Sequence, residues 1–323
     1  MRQLATTQQI EEVRPIEGAD LIAAYKIKGW WVVARLGEFE VGDYCTYIEI
    51  DSWIPTEVAP FLSKGNEPRE YNKIRGERLK TIKLKGQISQ GLTLPTTLRV
   101  VGEDVTDSLG ITLWEATIPA QLAGLQKGNF PSFIPKTTQS RIQNLHRLPE
   151  GKLFEVTEKL HGTSCTIYST DGEWGICSKD TEFKLDGNDK NTFVNTLQKL
   201  LHKLPLDGPD LAIQGEIIGY GINGNQYKID GSRFLVFDIY NITTATYMLP
   251  EERLRYCHKN QLTHVPIIHK ELSLEGETVE SLLLTADTTS TLHTCKAEGL
   301  VFKSTTDDTS FKVISNKWLL KEK

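Results

Sequence analysis

Glu158-Lys159-Leu160-His161-Gly162-Thr163-Ser164 lies between two apolar, strand-like segments, Phe154 to Leu160 and Cys165 to Ser169. A glycine just past a strand end lets the backbone approach a ligand closely. A lysine three residues earlier can then meet that ligand as a nucleophile. Taken alone, Lys-x-x-Gly is ordinarily a surface lysine before a turn. Four features further along change that reading. Gln214-Gly215-Glu216 sets a carboxylate inside the apolar strand Leu211 to Gly219, and Phe234-Leu-Val-Phe237-Asp238-Ile closes an apolar run on an aspartate. Ala297-Glu298-Gly299-Leu300-Val301 opens a strand on a glutamate, and Phe311-Lys312-Val313 puts a lysine in the last one. Charge within an apolar strand is costly unless it is paired or bound to a cation. Four such placements after one Lys-x-x-Gly describe a site.

Working outward, the second part of the chain mixes strands and helices. A hairpin turns at Asp171-Gly172 between Cys165 to Ser169 and Trp174 to Ser178. Phe193, Leu197, Leu200, Leu201 and Leu204 recur at helical spacing, with Pro205 as the expected stop. Further helices are predicted from Pro250 and over 276–286, and the strands Gly299 to Ser304 and Ser310 to Ser315 come after them. The first part reads as β-rich: Leu21 to Ile27, Trp30-Trp31-Val-Val-Ala, Tyr44 to Ile50 and Leu79 to Leu84, punctuated by Gly37 and Gly42-Asp43. Short strands with glycine turns predict a small barrel of the OB-fold type. Pro119, Pro131, Pro135 and Pro149 mark a linker with one short helix. The expected division is an OB-fold domain at 1–116, a second domain at 151–323, and a linker at 117–150 that packs on the second domain.

The chain has 323 residues, 39% hydrophobic and 24% charged, which excludes a disordered chain and fits two domains. Its five cysteines include no CxxC pair, so a disulfide framework or structural zinc site is not expected, and a reducing cytoplasm is. No apolar run has signal-peptide or membrane-span length, so a soluble protein is expected. Net charge is -5, which as an average argues against a nucleic-acid partner. The average conceals a local excess: between Lys64 and Lys85, eight Lys and Arg face three Glu, with Tyr71 among them. Lys80, Lys83 and Lys85 are the candidate phosphate contacts there.

The ordered set resembles the covalent nucleotidyltransferase superfamily of DNA ligases, RNA ligases and mRNA capping enzymes. Lys159, His161 and Gly162 match its KxDG or KxHG motif, and Cys177-Ser178-Lys179, Gly215-Glu216, Phe237-Asp238, Glu298 to Val301 and Lys312 match the later ones. Histidine in the first motif, an OB domain placed first and the linker Phe133 to Thr137 with Arg141-Ile-Gln resemble the Deinococcus-type RNA ligase family. With eleven residues after Lys312, an OB domain is expected before the catalytic domain rather than after it. The sequence departs from the pattern at Lys179, where arginine is usual, and at Ile314, where a second lysine is frequent.

The resemblance implies an α+β chain, an OB-fold barrel joined to an ATP-grasp-like ligase domain of antiparallel sheets flanked by helices. It implies an ATP-dependent RNA ligase that joins 3′-OH and 5′-phosphate RNA ends, in a nicked duplex, acting as a monomer. Lys159 is then the nucleophile. A free lysine, with a pKa of about 10.4, leaves roughly one part in a thousand unprotonated at neutral pH, so about 4 kcal/mol of pKa depression is needed. Glu216 and Glu298 are the implied holders of Mg²⁺ or Mn²⁺, His161 a contact to ribose, water or the metal's shell, and Phe237 the adenine stack. Glu158 would reach the adenine edge, Lys179 and Lys312 would neutralise phosphate, and Arg141 and Lys303 are weaker phosphate candidates. Two alternatives accompany this reading: a ligase of the RNA-editing type, and a non-catalytic OB protein whose second domain has decayed.

Overall fold

The computed structural model describes residues 3–115, 125–187, 191–201, 203–204 and 209–321. The boundary expected at 116–117, Pro119 and the helix stop at Pro205 lie outside these residues. Two compact units form: Met1–Thr117 with Gln143–His146 and Leu319–Lys323, and Ile118–Ile142 with Arg147–Trp318.

The first unit is built of short, mostly antiparallel strands. Ala5–Gln9, Tyr44–Ile48 and Leu92–Pro95 form one sheet, Glu12–Pro15, Ile22–Ile27 and Trp30–Arg35 a second, and Ser52–Pro55, Arg69–Tyr71, Ile74–Arg78 and Thr112–Leu113 a third. The adjacent tryptophans divide as strand alternation requires. Trp30 is buried and its Nε1 donates to Asn144 Oδ1 at 2.7 Å, whereas Trp31 is half-buried with the Arg14 guanidinium 4.3 Å from its ring centre.

The expected strand Leu79 to Leu84 is not continuous. Leu79 is buried and closes the Ile74–Arg78 strand against Ser52, after which Ile82–Leu84 and Gln87–Ser89 form a separate hairpin. Lys85 and Gly86 at its tip have φ of 47° and 86°, the left-handed pair that a two-residue hairpin turn demands. Ile82 and Leu84 are 46% and 37% exposed, so their alternation with lysine marks a projecting ribbon, not a core strand.

The second unit holds two sheets. Seven strands run in the order Gln126–Asn129, Thr181–Phe183, Glu173–Ser178, Thr163–Thr170, Leu211–Gly219, Ser232–Asn241, Thr246–Tyr247. Five run in the order Ser140–Arg141, Ser310–Ile314, Gly299–Ser304, Leu153–Lys159, Ile267–Ser273. Asp171 and Gly172, with φ of 50° and 77°, make the predicted hairpin turn. The helix Thr192–Leu201 buries Phe193, Val194 and Leu197 in one apolar cluster with Ile167, Ile213 and Ile239 of the larger sheet; Leu204, expected within it, lies past its end. Pro250–Lys259 begins on proline, with Glu251 and Glu252 in its first turn and His258 and Lys259 in its last, matching the helix dipole. Val279–Ala286 is closed by a capping box between Thr278 and Ser281. The short helix expected in the linker is a 3₁₀ turn, Ile142–Asn144. Just before it, Ser140–Arg141 pairs in parallel with the Ser310–Ile314 strand, setting Arg141 opposite Lys312. The chain is thus mostly β with few helices, as the fold reading expects.

Candidate active site

Lys159 ends its strand opposite Gly299, which places it beside Glu298. A Cβ on Gly299 would come within 2.1 Å of Val313 O, so only glycine lets its strand pair this closely with Ser310–Ile314 on its other side. Lys159 Nζ lies 2.6 Å from Glu298 Oε1, and His161 Nδ1 lies 3.4 Å from Glu298 Oε2. The chain then turns. Gly162 N donates to Glu216 Oε1 at 3.0 Å, and a Cβ on Gly162 would meet Ile217 O at 2.3 Å, Ile218 Cγ2 at 2.7 Å and Glu216 Cγ at 2.8 Å. Gly215 is needed for a similar reason, since a Cβ there would run into the Phe234 ring at 2.3 Å. Gly162, read from sequence as a point where the backbone approaches a ligand, is instead packed closely against Ile217 O and the Ile218 and Glu216 side chains.

The electrostatics come from this packing. Burial pulls the Lys159 amine down, but the Glu298 and Glu216 carboxylates outweigh it and hold the amine above its ordinary range. Burial pushes the Glu298 carboxyl up, and Lys159 with His161 overcomes it, holding the group at about 2. Glu216 is driven to about 8, chiefly by burial, with Glu298 adding to the rise and Lys159 opposing it. Without a bound cation, then, Lys159 is an ammonium, the reverse of the depression that a nucleophile needs.

Both sheets of this unit line a cleft of about 210 Å³. Lys159, Lys179, Glu216, Phe237 and Lys312 all face it, and Glu158 and Lys303 reach it too. Arg141 is not among the lining side chains; it is buried, and its charge is felt at Lys159. Lys303, read as a weak phosphate candidate, is buried and engaged: its Nζ lies 2.5 Å from Asp238 Oδ1 and also donates to Phe237 O, and burial draws the amine down to about 8. Lys80, Lys83 and Lys85 belong to the projecting hairpin of the first unit and the segment leading into it. Around them Arg69, Arg75 and Arg78 are paired with Glu77, Glu67 and Asp51, so the exposed excess rests mainly on lysines.

Glu158, expected at the adenine edge, is fully buried. Its Oε2 accepts from Thr291 N at 2.8 Å and Thr291 Oγ1 at 2.7 Å, while Oε1 has no hydrogen-bond partner among the described residues. Thr291 itself carries no signal in the sequence, and neither do several other participants. Gln214 donates from Nε2 to Pro135 O at 2.9 Å, and its Oε1, in the same cleft, has no partner among the described residues. The turn at 161–162 is fixed from outside: His161 N donates to Tyr227 Oη at 2.8 Å, and Asn223 Nδ2 donates to Gly162 O at 2.6 Å. Arg253 is buried, bonds Glu155 and donates to His264 Nε2 at 3.0 Å. Here a signal does exist in the sequence, because Arg253 and Cys257 share a helix face by i, i+4 spacing and that face is buried.

Among the described residues no group of three or more His, Cys, Asp or Glu could hold a metal ion. Glu216 and Glu298 remain as a pair of oxygen donors. A pair fits a hard divalent cation that keeps most of its waters, and such a charge would favour the ionised form of Glu216 that burial, and to a lesser degree Glu298, opposes.

A lysine held between two glutamates at the mouth of a cleft shared by two sheets, with more lysines and an aromatic ring around it, is the arrangement of a nucleotidyltransferase domain. The family model described as RNA ligase matches residues 152–314, and one described as an OB-fold domain matches residues 4–96. Among solved structures, an apo mutant of Naegleria gruberi RNA ligase is 40% identical with a TM-score of 0.93, covering 99% of this chain and 98% of that one. A mutant of the same ligase with ATP and Mn is 40% identical with a TM-score of 0.92 and covers 99% of each chain. The ligase with PPi is 40% identical at 0.92, covering 100% of this chain and 99% of that one. Comparison with curated protein sequences finds no match. The chain belongs to the RNA ligase family, with an OB-fold domain preceding the ligase domain.

Proposed function

We propose that this RNA ligase uses ATP to join a 3′-OH to a 5′-phosphate through a lysyl-AMP, with Lys159 as nucleophile. The observation that carries the reading is the placement of Lys159 Nζ against Glu298, at the edge of a cleft whose other walls carry Lys179, Lys312 and Phe237. In the first step the Lys159 nitrogen attacks the α-phosphorus of ATP; a P–N bond forms and the bond to pyrophosphate breaks. In the second, an oxygen of the RNA 5′-phosphate displaces Lys159 and takes the AMP. In the third, the 3′-oxygen attacks the 5′-phosphorus and AMP leaves.

Each side chain has a stated task. Phe237 would stack on adenine. Glu158, pinned by Thr291 with one oxygen unpartnered among the described residues, would accept from the adenine amino group. Lys179 and Lys312 would neutralise the α-phosphate and the departing pyrophosphate. Glu216 and Glu298 would hold Mg²⁺ or Mn²⁺ through water, and that charge would offset the carboxylate field keeping Lys159 protonated. The Naegleria relative solved with ATP and Mn supports ATP and a divalent cation as the ligands. The histidine of the first motif and the OB-first order support a likeness to the Deinococcus-type family. The free thiols suit a reducing cytoplasm.

The test is incubation with α-³²P-ATP and Mg²⁺ or Mn²⁺, followed by denaturing electrophoresis. Label is expected on the wild type and not on Lys159→Ala. A wild type that takes no label under either cation, or a Lys159→Ala that labels normally, would refute the reading.

A further inference from the structure

The last turn of the second unit reaches back to the nucleophile. Trp318 packs on His161 with ring centres 4.7 Å apart and planes tilted by 60°. Its backbone N donates to Ser315 Oγ at 3.1 Å, and that hydroxyl donates to Asp287 Oδ1 at 2.5 Å. Ser315 N in turn donates to Glu298 O at 2.9 Å. One residue, Ser315, therefore fixes both the tryptophan and the backbone of the glutamate paired with Lys159.

From this geometry we propose that Trp318 is a positioning residue for the ligation reaction: it fixes the His161 ring against Glu298, and so fixes the carboxylate that faces the Lys159 amine. Among the described residues, the His161 ring meets Glu298 Oε2 at 3.4 Å and the Trp318 indole at 4.7 Å between ring centres. Its backbone is already held by Tyr227. With the indole removed, the turn would stay in place but the ring would be free to leave Glu298. The carboxylate would then lose a neighbour that orients it. Displacing a group by a fraction of an ångström next to a reacting atom is enough to slow the chemistry without unfolding the protein. An aromatic ring is required and the indole N–H is not, since the contact is ring against ring.

The proposal rests on Lys159 as nucleophile, and its test separates the two. Single-turnover labelling with α-³²P-ATP is measured for wild type, Trp318→Ala and Trp318→Phe, with melting temperature as a control. The rate for Trp318→Ala is expected to fall roughly 10- to 100-fold with a smaller change in half-saturating ATP, while Trp318→Phe stays within about threefold. Independently of turnover, the ring-proton resonance of His161, identified by its loss in His161→Asn, is expected to move in Trp318→Ala and far less in Trp318→Phe. Labelling of Trp318→Ala at the wild-type rate would overturn the proposal, as would an unmoved His161 resonance or a folded Trp318→Phe as slow as the alanine variant. Wild type that fails to label refutes the nucleophile assignment instead, and the resonance still decides the Trp318 contact.

Discussion

Gly162 illustrates how little tolerance the turn after Lys159 has. The space a Cβ would take there is filled, by Ile217 O at 2.3 Å and by the Glu216 and Ile218 side chains. Gly162→Ala is therefore expected to push the turn off Glu216 and reduce lysine adenylylation by roughly 100-fold, read by single-turnover labelling. Thr291 is a second such point. Thr291→Val keeps the backbone donor to Glu158 but removes the hydroxyl donor; losing a hydrogen bond to a buried carboxylate costs about 1.5–3 kcal/mol, which predicts a rise in half-saturating ATP of roughly 10-fold or more in nucleotide titrations. Lys159, Glu216 and Glu298 were legible in the sequence because a charge in an apolar strand is physically expensive. Thr291, Tyr227 and Asn223 were not, since they sit in bends, turns and a short 3₁₀ turn without periodicity and act on residues 133, 66 and 61 positions away.

At the scale of elements, the hairpin Ile82–Leu84 with Gln87–Ser89 shows where pattern reading misleads. Alternation of Ile and Leu with Lys is the mark of a half-buried strand, yet here all three residues of Ile82–Leu84 are exposed. The same two-residue period arises whenever a ribbon has one apolar and one basic face, and only its neighbours decide whether the apolar face is covered. Turn chemistry, by contrast, was readable: Asp171-Gly172 provides the left-handed conformations its hairpin needs. If the ribbon meets RNA, changing Lys80, Lys83 and Lys85 together to Ala should leave adenylylation intact and slow sealing. The log–log salt slope of RNA binding should flatten by roughly 2–3. The helix Thr192–Leu201 makes a purely structural prediction. Leu197→Ala, emptying a fully buried site, is expected to cost about 2–5 kcal/mol in urea unfolding without altering the labelled residue.

For the molecule as a whole, the net charge of -5 describes neither unit well, because it averages exposed lysines with acids committed to ion pairs. One of the interior networks sets a pH limit on stability. His264 is engaged at both ring nitrogens, with Arg253 Nε at 3.0 Å and Val265 O at 2.6 Å, and burial with Arg253 nearby draws its pKa from 6.5 down to about 3. The folded chain therefore binds fewer protons here than the unfolded chain between those values. Its contribution is complete above pH 6.5 and is lost as pH falls toward 3. His264→Gln should flatten the urea midpoint against pH across that interval while changing little above it. The ion pair of Lys159 with Glu298 has a consequence of another kind. An ammonium has no lone pair to offer, so acyl phosphates or cyanate entering the open cleft meet an unreactive cation. With Lys159 as the proposed nucleophile, selectivity for one electrophile among many is partly a matter of timing, since the amine gains a lone pair only once a bound cation engages its carboxylate partners.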